Sequence, residues 1–204
     1  MVAFAGNSLL CRLALRDTAI DAATFTFIRL ASGAIALALI VRARGPQSEG
    51  PGGNWRSAAA LFAYAAFFSY SYITLSAGTG ALLLFGAVQA TMIGYGLWRG
   101  ERLTPLQLAG LAFAIGGLVV LLLPGIAAPP FLGATLMILA GVAWGIYSLR
   151  GKGAGDPTQV TAGNFLRGVA FAALLSAAAF PWMQVDPAGA LYAMASGALA
   201  SGVG

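Results

Sequence analysis

The feature that most constrains this chain is a recurrence of almost wholly apolar stretches, each close to the roughly 20 residues an α-helix needs to cross a bilayer. Eight of them run over about 1–15, 22–41, 56–75, 80–98, 105–123, 131–149, 161–180 and 188–204. Runs such as 118–123 are apolar on every face, whereas the strands of a membrane barrel alternate polar and apolar residues. The pattern predicts an all-α membrane protein, a polytopic helical bundle with lipid as its main solvent.

Composition closes off a soluble alternative. Only 8% of the 204 residues are charged and 59% are apolar, against roughly 25% charged in soluble domains. The net charge of +5 is carried by basic residues scattered singly between apolar runs, not by a patch or helix face, so no nucleic-acid partner is expected. With no histidine and the single cysteine Cys11, the chain offers neither a Cys/His metal site nor a disulfide framework. It also lacks a phosphate-binding Gly-x-x-x-x-Gly-Lys loop. No cofactor or metal is expected. None of the six acidic residues falls inside an apolar stretch, so the acid–base set of an intramembrane enzyme is missing and the chain does not read as an enzyme.

Helix breakers punctuate the stretches. Pro46, Pro51, Gly52 and Gly53 part the second from the third, and Pro105 opens the fifth. Pro124, Pro129 and Pro130 part the fifth from the sixth, Pro157 precedes the seventh, and Pro187 opens the eighth. The connections are too short for a soluble domain, which puts function among the helices. Orientation follows from Lys and Arg. The connections after the second, fourth and sixth stretches hold seven cations, Arg42, Arg44, Arg56, Arg99, Arg102, Arg150 and Lys152, and those after the third, fifth and seventh hold none. This places the N-terminus in the cytoplasm of a multi-pass protein of the cytoplasmic (inner) membrane. Arg12 and Arg16 in the first connection dissent, with Asp17 and Asp21 beside them.

The chain also repeats itself. Phe4-Ala5-Gly6-Asn7 matches Trp144-Gly145-Ile146-Tyr147, Phe27-Ile28-Arg29 matches Phe165-Leu166-Arg167, Leu61-Phe62-Ala63 matches Leu191-Tyr192-Ala193, and Ser71 falls opposite Ser201. Copies separated by five helices, an odd number, enter the membrane from opposite sides, the inverted-topology arrangement of many secondary transporters. The division predicted is a first five-helix repeat over 1–124 and a second over 131–204 holding three helices. The eighth stretch reaches Gly204 without a polar flank, so the chain reads as a fragment short of two helices.

These residues resemble the EamA-type branch of the drug/metabolite transporter superfamily. The clearest likeness is Gly100-Glu101-Arg102-Leu103-Thr104, which matches the loop joining the fourth and fifth helices in that family and precedes the apolar run 106–123. Arg29, the Trp-Gly-x-Tyr segment 144–147 and the repeated Arg167 extend it over nearly the whole chain. The resemblance implies two five-helix inverted repeats and a secondary transporter, exporter or importer, that moves a small organic metabolite by alternating access. Many members carry a proline midway along the fourth helix, where this chain has Gly86-Ala87-Val88-Gln89-Ala90-Thr91, so a substrate is not carried over. The alternative class is a structural or sensory membrane subunit that transports nothing.

Candidate cavity residues are the polar and aromatic side chains within the stretches: Asn7, Ser8, Arg29, Tyr64, Ser71, Gln89, Thr91, Trp144, Tyr147, Asn164 and Arg167. Their hydroxyl, amide and aromatic character, with two arginines at most, suits a small neutral, zwitterionic or amphipathic solute. For Arg29 and Arg167 three roles stand open: closing loop carbonyls or pairing between repeats, meeting an anionic substrate group, or snorkelling to the headgroups from about 10 Å along the helix. Asn7 and Gln89 read equally as interhelical hydrogen bonds, and Trp144 and Tyr147 as interfacial anchors. Gly141 and Gly145 form a small-xxx-small pair suited to close helix packing. The partners expected are a small-molecule solute and the lipid bilayer, and a homodimer stays open.

Overall fold

The computed structural model describes residues 2–45, 52–122 and 129–202. Pro46, Pro51, Pro124 and Gly204 of the sequence reading lie outside them. Within the described residues the chain is all-helical and without strands. Its helices are α1 (Val2–Asp17), α2 (Ala22–Arg44), α3 (Trp55–Tyr72), α4 (Ala77–Trp98), α5 (Pro105–Leu122), α6 (Phe131–Gly151), α7 (Pro157–Ala178) and α8 (Pro187–Gly202), with a 3-10 turn at Phe180–Trp182. Four of them, α2, α4, α6 and α7, are long and apolar enough by length and composition to cross a membrane. The others run 16 to 18 residues, about 24–27 Å at 1.5 Å per residue. The protein is a polytopic helical membrane protein.

Most of the helices start where a short polar side chain stands ready to accept the first free N–H groups, α6 after Pro130 being an exception. Asp21 caps α2, Asn54 caps α3, Ser76 caps α4 and Asp156 caps α7, and Asp186 accepts from the Gly189 N–H at the head of α8. The cap at Asp156 corrects the sequence reading. With Pro157 as the first helical residue and the Gln159 N–H held by Asp156 at 2.8 Å, α7 starts four residues before the expected 161, because proline suits the first turn of a helix. The Gly-Glu-Arg-Leu-Thr segment is a stop followed by a start. Gly100 adopts φ +90°, closed to most other residues, and its N–H reaches Leu97 O at 2.9 Å. Thr104 and Gln107 then cap each other reciprocally to open α5.

The packing is crosswise. α2 lies against α7 and α8, α3 against α6 and α7, α8 along α1, and α6 along α4, while α5 rests on α4. Gly141 and Gly145 let α6 press on α4. A Cβ at Gly141 would come within 2.6 Å of the Leu84 carbonyl oxygen, and one at Gly145 within 2.8 Å of Thr91. α5 shows most of its apolar side chains outward, Phe113 at 83% exposed, as lipid contact requires. Connections after α1, α3 and α7 gather at one end of the bundle: Asp21 meets Gln184, and Arg12 meets Tyr72 and Ile73. Those after α2 and α6 meet at the other, where Arg44 reaches Thr158 and Arg150 reaches Asn54 and Ser57.

Candidate functional site

The interior at the crossing of α1, α2, α3 and α8 is polar at its centre. On α1, Asn7, Cys11 and Ala14 recur at a spacing of three to four residues and Ser8 lies beside them; all four are buried. On α3 the buried face runs through Leu61, Tyr64, Phe68 and Tyr72. The Ser196 hydroxyl of α8 donates to Asn7 Oδ1, the Ser69 hydroxyl to Ala65 O, and the Tyr72 hydroxyl to Ala77 O. Such pairing is what buried polar groups in an apolar bundle require.

Arg29 is the exception. It sits on α2 with 6% of its surface exposed, so the snorkelling geometry is not adopted. Its guanidinium lies over the Phe68 ring at 4.8 Å and the Tyr64 ring at 5.2 Å. Nη2 donates to the Tyr64 hydroxyl at 3.1 Å. Nη1 is buried with no hydrogen-bond partner. The described acids, Asp17, Asp21, Glu101, Asp156 and Asp186, all fall at helix ends or in connections. Burial of an unpaired cation costs several kcal/mol even after relaxation, roughly an order more than a surface ion pair yields.

Arg167, its counterpart in the repeated segment, has a different setting. Its Nη1 donates to Gly52 O at 2.7 Å and to Gly163 O at 2.9 Å. Asn164, also on α7, accepts the Asn54 N–H at 2.8 Å. Together they clamp the 52–54 turn onto α7. The turn can come this close because Gly52, Gly53 and Gly163 carry no Cβ: at Gly53, which adopts φ +73°, one would meet Asn164 Oδ1 at 2.4 Å.

The other sequence candidates divide by place. Tyr64, Trp144 and Tyr147 form an aromatic column between α3 and α6, with ring centroids 4.7 Å and 5.4 Å apart. Trp144 and Tyr147 are half-buried there. Ser71 is buried and donates to Phe68 O. Thr91 bonds back to Ala87 O within α4. Gln89 is exposed on the outer side of α4, away from the polar centre, so it lines no wall of that centre. The structure thus brings Asn7, Ser8, Arg29 and Tyr64 together, sets Asn164 and Arg167 in a clamp, and leaves Gln89 outside. Phe68, Tyr72, Cys11 and Ser196 belong to the centre and were not singled out; the helical spacing of 64, 68 and 72 on α3 was the available signal.

At the end where α1 and α7 finish, a cleft of about 460 Å³ is lined by Leu15, Thr18, Asp21, Tyr70, Trp182 and Gln184. Asp21 binds both sides of it. Its Oδ1 takes the N–H groups of Ala23 and Thr24, its Oδ2 takes that of Gln184 at 3.0 Å, and its own N–H reaches Gln184 O at 3.1 Å. Partial burial pulls the carboxyl upward, but the hydrogen bonds from Thr24, Gln184 and Ala23 outweigh it and hold Asp21 below the usual carboxylate range.

Residues 1–123 match the model of the EamA-like transporter family. Over its full 204 residues the chain is 60% identical to the uncharacterized protein PA1977 of Pseudomonas aeruginosa, of which the match covers 71%.

Proposed function

This chain belongs to the EamA-like transporter family, and from that premise we propose that it is a secondary transporter of a small organic metabolite, working by alternating access across the cytoplasmic membrane. The observation that carries this reading is the buried polar centre where α1, α2, α3 and α8 cross, built around an arginine with an unused donor. Carriers made of inverted repeats hold their solute near mid-membrane between the repeats. The packing supports such repeats over 1–124 and 131–204, because exchanging the two halves turns α1 on α8 into α6 on α3, and α2 on α8 into α7 on α3; both members of each pair are present.

The N-terminus is placed in the cytoplasm on the loop cations. Arg12, one of the two dissenting charges, is occupied: it donates to the carbonyls of Tyr72 and Ile73 at the end of α3, where a cation complements the helix dipole. Solute flux into sealed proteoliposomes holding the full chain tests the function. A panel of small carboxylates, amides and amines should show at least one that equilibrates faster than in empty vesicles. Equal rates across the panel would favour the structural or sensory subunit.

A further inference from the structure

We propose that Arg29 is the docking group for a solute monocarboxylate with an apolar or aromatic body, an assignment that rests on the transport reading and names its substrate class. The buried Nη1 has no partner, and among the described residues no other buried side-chain nitrogen or oxygen is left so: around it Ser196 donates to Asn7, Ser69 to Ala65 O and Tyr72 to Ala77 O. The missing acceptor is therefore specific to the guanidinium. A structural arginine in this bundle looks different, as Arg167 shows by placing its Nη1 on two carbonyls.

Charge fixes the class of ligand. No second cation lies in the centre, since Arg12 is spent on the end of α3 and the loop cations are at the bundle ends. A monoanion neutralises one guanidinium, whereas a phosphate dianion would leave net charge buried. A planar carboxylate also fits a planar fork of donors. None of the described acids lies in the centre to receive an ammonium, since Asp17, Asp21, Glu101, Asp156 and Asp186 stand at helix ends or in connections, which disfavours a zwitterion. The walls are aromatic: Tyr64 and Phe68 flank the guanidinium, and Trp144 lies tilted against Tyr64 with ring centroids 4.7 Å apart. They supply an apolar bed for the rest of the solute.

The test uses the purified full chain in detergent, following thermal unfolding with benzoate, its neutral isostere benzamide, and inorganic phosphate. Benzoate is expected to raise the midpoint at concentrations at least tenfold below those at which benzamide or phosphate does so. Arg29→Met should unfold at or above the wild-type temperature, because an apolar side chain of similar length removes an unpaired buried cation, and should lose the benzoate response. Arg167→Met should keep that response. Benzamide or phosphate equal to benzoate, or an Arg29→Met protein that still answers benzoate, would overturn the assignment. If Arg29→Met does not fold, the wild-type comparison of benzoate with benzamide decides alone. Flux separates this proposal from the reading beneath it. A neutral solute carried equally by wild type and Arg29→Met refutes the carboxylate site and leaves transport standing. Arg29-dependent benzoate binding with no solute moved in sealed vesicles supports the site and refutes transport.

Discussion

Arg29 and Arg167 occupy matching places in two matched segments, yet one is enclosed by rings and the other holds a turn. Were they a symmetric structural pair, alanine at either position would lower the folded yield alike. The geometry predicts divergence. Arg167→Ala removes two charge-assisted bonds to Gly52 and Gly163 and should destabilise by about 1.5–3 kcal/mol, the range for hydrogen bonds to charged groups, discounted to its lower half because the side chain is only partly buried. Arg167→Lys should recover part of this, since an ammonium can reach one carbonyl but does not present a fork. Thermal melting and folded yield in membranes check it, and an Arg167→Ala protein that melts like wild type would remove the clamp from the account. The difference between the two arginines was not legible in the sequence, because each lies at a similar depth in an apolar run. It arises from what crosses each helix: a glycine turn at Arg167, an aromatic face of α3 at Arg29. Gln89 was unreadable for another reason. α4 is apolar all round, so its sequence marks no inner face.

At the scale of elements, the helices were legible because apolar length and polar caps agree. Asp21, Asn54, Ser76, Thr104 and Asp156 each stand at the head of a helix and bond its first N–H groups. The early start of α7 was missed because its first turn, Pro-Thr-Gln-Val, is more polar than the run behind it. The small-residue pair on α6 was legible as well, and its partner helix was not. Gly141 faces Ala87, Leu84 and Val88 of α4, with backbone atoms among the neighbours that a Cβ would strike. Gly141→Ala should therefore part α4 from α6 at a cost of about 1–3 kcal/mol, the usual range for overpacking. Gly110 on α5 is the control, with open space around it. Gly110→Ala should leave the melting point unchanged or raise it by the equivalent of up to about 1 kcal/mol, from helix propensity alone. Similar melting of the two variants would show that the α4–α6 contact is not as close as the structure has it.

For the molecule as a whole, two independent signals give the same parity. Loop cations concentrate after α2, α4 and α6, and side-chain contacts join the α2 and α6 connections at one end and the α1 and α7 connections at the other. On the proposed orientation the first end is cytoplasmic, and exposed tryptophans stand at both ends, Trp98 at one, 81% exposed, and Trp182 at the other, 74% exposed. A cysteine scan can test both parts of this claim, because Cys11 is buried on α1 and Cys11→Ala supplies a label-free background. Val185→Cys lies in the exposed α7–α8 connection and Ala154→Cys in the exposed α6–α7 connection. An impermeant maleimide applied to intact cells should label Val185→Cys at once and Ala154→Cys only after permeabilisation. The reverse pattern would invert the orientation while keeping the bundle. Labelling of both from one side would break the parity itself, and with it the antiparallel exchange of halves on which the proposed alternating-access mechanism depends.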